Sequence, residues 1–271
     1  MLSIGVWRSL KMISKKNKDW EVRVIKNIKV KNPVLIEGLP GIANVGKIVI
    51  DYLIEELEAV KVMTFFSFDL PNSVFVNESN LVELPRIELY YKRINNKDFL
   101  FLAGDVQPSS ERASYVFSEL ILDLVGKQGC KEIVTLGGIG LSEPPEKPDV
   151  FCAGNNEKFV KKFLEKGAKN NVYGLVGPII GISGLLVGMS AKRRIKATAL
   201  LAETFGHPMY LGLKGARSSI KVLNKVYEFN VNLRSLNKEI KLVEQEENEV
   251  HNSDSVSLQK IKKLKEINYI G

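Results

Sequence analysis

The 271-residue chain is poor in the residues that build metal and redox sites: it has two cysteines, Cys130 and Cys152, and two histidines, His207 and His251. Neither pair has ligand spacing, which argues against Cys/His zinc centres. A Ser-His-Asp arrangement could only run through His207, in a loop ahead of Pro208. Two cysteines also make no disulfide framework, so free thiols in a reducing cytoplasm are the expectation. Long apolar runs are missing as well. No stretch reaches the roughly 18 uncharged residues that span a bilayer, and the N-terminus lacks a secretory pattern with a small-residue cleavage site. We expect no membrane partner.

Positive charge is abundant but unevenly placed. The formal net charge is +8. Residues 1–32 carry nine Lys/Arg and two acids, a net of +7. The remaining 39 − 9 = 30 bases and 31 − 2 = 29 acids nearly cancel. A nucleic-acid-binding face should form a basic stripe across the domain body. The sequence instead reads as a solvated basic arm at residues 1–20 on a near-neutral body, so nucleic acid is not an expected partner.

The body alternates strands and helices. "PVLIEG" (33–38), "KVMTFFSF" (61–68), "EIVTLGGIGL" (132–141) and "IKATALLAET" (195–204) read as strands, the third running into a Gly-rich loop. "ELPRIELYYKR" and "DFLFLAGD" bracket the turn "INNK" as a hairpin. Residues 110–128 form an amphipathic helix capped by Ser109 or Ser110. "NEKFVKKFLEKG" is a short helix stopped by Gly167. This alternation predicts a mostly parallel, twisted α/β sheet with helices on both faces, over residues 21–230. Leu233, Leu236, Ile240, Val243 and Val250 extend a helical pattern over 231–250. A polar linker follows, and 251–271 ends in a basic amphipathic stretch with Leu258, Ile261, Leu264 and Ile267 in register.

The most suggestive motif is "EGLPGIANVGKI" (37–48), whose Gly41, Gly46 and Lys47 have the spacing of a phosphate-cradling loop. Two features oppose that reading. Ile48 stands where the loop needs Ser or Thr for magnesium. Apolar residues recur at helical spacing from Ile42, so the helix is expected to start near Gly41, with Gly46 and Lys47 inside it. Gly46 would then serve close packing of the helix on a strand. The candidate crevice comprises Glu37, Gly38, Pro40, Gly41, Asn44, Asp105, Gly137, Gly138, Gly140, Gly181, Ser183, Gly184 and Glu203, at or just past predicted strand ends, where open α/β sheets place ligands. A carboxylate there could act as acid or base, or could simply bind the amides of the turns. A nucleotide- or nucleoside-binding enzyme is the alternative reading. No catalytic residue, metal or cofactor is assigned.

The blocks "LIEGLPGIANVGKIVIDYLIEEL", "GDVQPSSERASYVFSELIL", "IVTLGGIG", "GPIIGISGLLVGMSAKRR" and "ATALLAETFG" together resemble the archaeal branch of the proteasome assembly chaperone family. The resemblance spans about residues 30–230. It implies a three-layer fold shaped like nucleoside phosphorylases, homo-oligomers, and binding to α subunits of the 20S proteasome rather than catalysis. It also implies a C-terminal hydrophobic-Tyr-any tail that enters pockets between those subunits. Here the end reads Ile267-Asn268-Tyr269-Ile270-Gly271. Tyr269 is third from the carboxylate instead of second, a displacement of about 3.3–3.6 Å in extended chain.

Overall fold

The computed structural model describes residues 19–171 and 177–252, with the side chains of 246–252 excepted. Two compact units emerge, one from residues up to 71 and 86–231, the other from 72–85 and 232 onward.

The first unit is built on an eight-stranded sheet in the order β1-β3-β6-β7-β2-β8-β10-β9. Its strands are β1 (Glu21–Val24), β2 (Val34–Gly38), β3 (Val60–Phe66), β6 (Ile87–Ile94), β7 (Lys97–Gly104), β8 (Glu132–Leu141), β9 (Val150–Gly154) and β10 (Lys196–Phe205). The centre, β7-β2-β8-β10, is parallel. The remaining neighbours are antiparallel. Following these pairings, β2, β3, β7, β8 and β10 share one direction, so the sheet is mixed but mostly parallel. Its helices are α1 (Val45–Glu56), α2 (Glu111–Lys127), α3 (Glu157–Leu164), α4 (Ile182–Ser190) and α5 (Leu213–Tyr227).

Strand alternation sorts the core into two layers. Leu35, Leu100, Leu102 and Ile133 are buried with Phe117, Leu120, Ile121 and Leu124 of α2 and with Ile182 and Leu186 of α4. On the opposite face α1 packs beside α5. There Phe99 meets Tyr227 and Phe229, with ring centroids 5.4 and 4.9 Å apart. Both faces of the central strands are thus covered, as a parallel sheet requires.

Local signals act as expected at several ends. Asn95 and Asn96 both take positive φ, the geometry of a tight hairpin turn between β6 and β7. The Ser110 side chain accepts from the Ala113 amide at the start of α2. Asn156 caps α3 in the same way through Phe159.

Three local expectations need correction. The glycines of "LGGIGL" do not open a loop: β8 continues through Leu141, paired with β10 to Phe205. A strand, β9, occupies Val150–Gly154, a segment to which the sequence pattern assigns no element. Finally, the helix after β2 is broken at its start. Ile42–Asn44 is one 3-10 turn with Ala43 and Asn44 in the left-handed region, and the α-helix proper begins at Val45. Gly46 and Lys47 therefore sit in its first turn rather than deep inside.

The second unit contains a two-stranded ribbon, β4 (Phe75–Val76) with β5 (Val82–Glu83), and the helix α6 (Arg234–Asn252). Leu236 and Ile240 of α6 are buried.

Candidate functional site

The strand ends carry one fully buried carboxylate. Glu37, the fourth residue of β2, has no exposed surface. Its Oε1 accepts from the Leu39 amide at 3.0 Å, and its Oε2 accepts from Ser183 Oγ at 2.9 Å. Ser183 lies in the first turn of α4, so the pair ties β2 to that helix. Desolvation dominates the titration of Glu37. It pushes the carboxyl from 4.5 up to about 7, against the lowering effect of the two hydrogen bonds. Thr135, opposite Glu37 in the parallel register, is also buried, and its hydroxyl has no partner among the described residues.

Gln107 makes a second tie. Its Nε2 donates to the Pro40 carbonyl at 2.6 Å, and its Oε1 accepts from the Ile182 amide at 3.0 Å. Gly181 takes φ +83 beside it, and a Cβ there would lie 2.4 Å from Gln107 Oε1. The structure thus brings Glu37, Pro40, Gly181 and Ser183 together. The sequence reading missed Gln107. Its signal is a polar side chain three residues past the end of β7, which local pattern does not separate from an ordinary loop residue.

The remaining glycines are packing devices. A Cβ on Gly38 would meet the Gly46 carbonyl at 2.3 Å, one on Gly46 the Leu136 carbonyl at 2.5 Å, and one on Gly138 the Ile42 carbonyl at 2.8 Å. A Cβ on Gly184 would meet the Ile179 carbonyl at 2.0 Å. Gly137 and Gly140 face Leu201 and Gly206, with nearest atoms at 3.1 and 3.2 Å. Only backbone fits between α1, the turn before it and the sheet. Gly41 differs: nothing lies within 4 Å of its Cβ position.

Lys47 does not stand open above this turn. Its Nζ is 2.9 Å from Asp51 Oδ2, donates to the Gly104 carbonyl at 3.2 Å, and lies 3.8 Å from Asp105 Oδ1. Asp105 Oδ2 accepts from the Arg86 amide at 3.0 Å. The Asn44 amide donates to the Gly41 carbonyl at 2.9 Å, folding the turn on itself. Glu203 is engaged elsewhere, accepting from the Asp149 amide at 2.9 Å. His207 Nδ1 accepts from Met209 N at 3.2 Å, while the Ser183 hydroxyl serves Glu37. Among the described residues no group of three or more His, Cys, Asp or Glu is placed to hold a metal ion. Cys130 and Cys152 are buried, and burial pushes their thiols up to about 12 and about 11, so neither is a ready nucleophile. No described helix is long and apolar enough to cross a membrane.

These contacts give the phosphate-loop alternative a direct test. Adding ATP and magnesium should leave the Tm unchanged, both in the native chain and in Lys47→Ala. Stabilisation by ATP that Lys47→Ala abolishes would restore nucleotide binding.

At this edge Ile42, Ile180 and Met209 are 49, 82 and 61% exposed, and the same strand-end loops also expose Ser142, Glu143 and His207. The tail residues Ile267, Tyr269, Ile270 and Gly271 lie outside the described residues, as does the basic arm up to residue 18.

Comparison with known proteins agrees with this picture. The PAC2 family profile matches residues 35–251. The chain belongs to the PAC2 family. Among solved structures, Pyrococcus furiosus PbaB, an archaeal proteasome activator, superposes with a TM-score of 0.79 at 27% identity, over 86% of this chain and 99% of that one. Pyrococcus furiosus PbaA, an archaeal homolog of proteasome-assembly chaperone, gives 0.73 at 25% identity, over 92% and 99%. The uncharacterized protein MJ0106 of Methanocaldococcus jannaschii is 30% identical over 217 residues, 80% of this chain and 84% of its own. PAC2 membership supports the assembly-chaperone resemblance and the α/β fold. The nucleoside-phosphorylase likeness gains no support from these neighbours.

Proposed function

We propose that this PAC2 protein is a non-enzymatic, homo-oligomeric proteasome assembly factor of the archaeal cytoplasm. In this reading it binds α subunits of the 20S proteasome, partly through Ile267, Tyr269, Ile270 and Gly271. The likeness to PbaB and PbaA over nearly their whole length carries the reading. Two features of the molecule favour association over chemistry. Most of the glycines at the strand ends are taken up by close packing, and the fully buried carboxylate of Glu37 accepts hydrogen bonds from its own chain.

The physical role follows from exposed interfaces. Unassembled ring subunits present apolar faces and strand edges that can pair wrongly. A partner displaying several weak tails would hold them through effective concentration and yield as larger interfaces form. Pull-down from native lysate with mass measurement of the intact complex should recover proteasome α subunits. Removing Tyr269–Gly271 should weaken that association at least about tenfold, a loss of 1.4 kcal/mol or more. Unchanged affinity would discard the tail mechanism, and absence of α subunits would discard the partner.

A further inference from the structure

The ribbon of the second unit carries an aliphatic face that nothing among the described residues requires. Phe75 is paired with Glu83 and Val76 with Val82. Extending that register by one residue sets Val74 across from Leu84. Val74, Val76, Val82 and Leu84 then share one face, because side chains alternate along a strand and paired residues point the same way. They are 51, 55, 67 and 57% exposed, and Leu81 at the turn is 63% exposed. The opposite face is occupied: Phe75 is partly buried and Glu83 accepts from Asn77 Nδ2 at 2.9 Å. Asn77 also locks the turn, its Oδ1 accepting from the amides of Ser79 and Leu81 at 3.0 Å each. The aliphatic face is therefore preformed.

We infer that this face is the docking surface for the chain's own C-terminal segment, Leu258–Ile267. Three observations select that occupant. The ribbon and α6 belong to the same unit, and α6 hands the chain on at Asn252, with only five residues between it and Leu258. The segment has Leu258, Ile261, Leu264 and Ile267 at every third position, an apolar set that matches four exposed aliphatics. The charges are complementary: residues 72–85 carry Glu78 and Glu83 with no Lys or Arg, whereas 258–271 carry Lys260, Lys262, Lys263 and Lys265 against Glu266.

Area argues for a tethered occupant. Four side chains on a short ribbon fall far below the roughly 800 Å² per partner of a stable association. A segment joined by a short linker faces the ribbon at millimolar effective concentration and needs no such area. Docked this way, the segment holds the chain two residues ahead of Tyr269 and sets where the final three residues emerge. The docking is a property of the isolated chain and needs no proteasome subunit.

A zero-length carboxylate–amine cross-linker on the full chain provides the test, using a mixture of light- and heavy-isotope copies. Links from Glu78 or Glu83 to the lysines at 260–265 are expected within single chains. Val76→Lys with Val82→Lys, at exposed positions, should lower their yield about tenfold by removing apolar contact and adding like charge. Hydrogen exchange of β7 and β8 verifies that the variant is folded; should it not be, Lys260, Lys262, Lys263 and Lys265→Glu serves as the second variant, in which exchange protection of 258–267 should be lost. Absence of links, an unprotected segment in the native chain, or protection undiminished in the variants would overturn the inference. Predominant light–heavy links would overturn it too, by assigning the face to a neighbouring copy.

Discussion

The native chain should lose stability as pH rises between about 4.5 and 7, and replacing Glu37 by Gln should remove that loss. The sign follows from proton linkage. The folded state holds the Glu37 proton up to about pH 7, whereas the unfolded chain releases it near the ordinary 4.5. Below 4.5 both states are protonated and nothing is lost. Between the two values the folded state binds more protons, so stability falls as pH rises. Above 7 the decline stops. Each pKa unit corresponds to about 1.4 kcal/mol, so the full drop is about 3 kcal/mol. Gln keeps both contacts: its carbonyl accepts from the Leu39 amide and its NH2 donates to Ser183 Oγ, which can rotate to accept. Urea unfolding at pH 5 and pH 8 should show Glu37→Gln losing less stability than the native chain, with the two differing most at pH 8. Parallel curves would mean that the carboxyl is not desolvated as the structure has it. Glu37→Ala should behave differently, since it leaves the Leu39 amide buried without its acceptor, at about 1–3 kcal/mol, and leaves Ser183 Oγ only the Leu136 carbonyl at 3.5 Å.

Sequence places Glu37 and Ser183 in one candidate crevice but does not show that they pair across 146 positions. Strand alternation and turn chemistry are local, so β2, β3, the β6–β7 hairpin and the Ser110-capped helix could be read directly. Three features defeated local reading, and for the β8 glycines and β9 the cause is tertiary. The glycines of β8 look like a loop because nothing nearby shows the Ile42 carbonyl approaching Gly138, or β10 running alongside to Phe205. The apolar spacing from Ile42 mimics a continuous helix, because a 3-10 turn keeps side chains nearly in phase while Ala43 and Asn44 reverse the backbone. β9 is short and buried, with no polar alternation to mark it, and only pairing with β10 makes it a strand. The close packing expected of Gly46 is present, against the Leu136 carbonyl.

The glycines at 38, 41 and 46 separate backbone packing from phosphate binding, and alanine at each should give a graded result. In a helix, Gly→Ala normally gains about 1 kcal/mol. Gly46→Ala should instead destabilise, because its Cβ would come 2.5 Å from the Leu136 carbonyl on β8. Gly38→Ala should cost more, since its Cβ meets the Gly46 carbonyl at 2.3 Å and Ile50 Cβ at 2.8 Å, forcing α1 off the sheet. Overpacking of this kind costs about 1–3 kcal/mol, and a backbone contact together with a helix Cβ places Gly38→Ala at or above the upper end. Gly41→Ala should be nearly silent: its site is open, and its φ of −160 is extended backbone that alanine adopts. A phosphate loop would rank these positions by their nearness to the bound anion, with Gly41 and Gly46 both critical for binding and neither necessarily for stability. Chemical denaturation of the three variants reads the order directly. A stable Gly46→Ala would show that α1 is not seated on β8, and the glycine motif would again need a ligand to explain it.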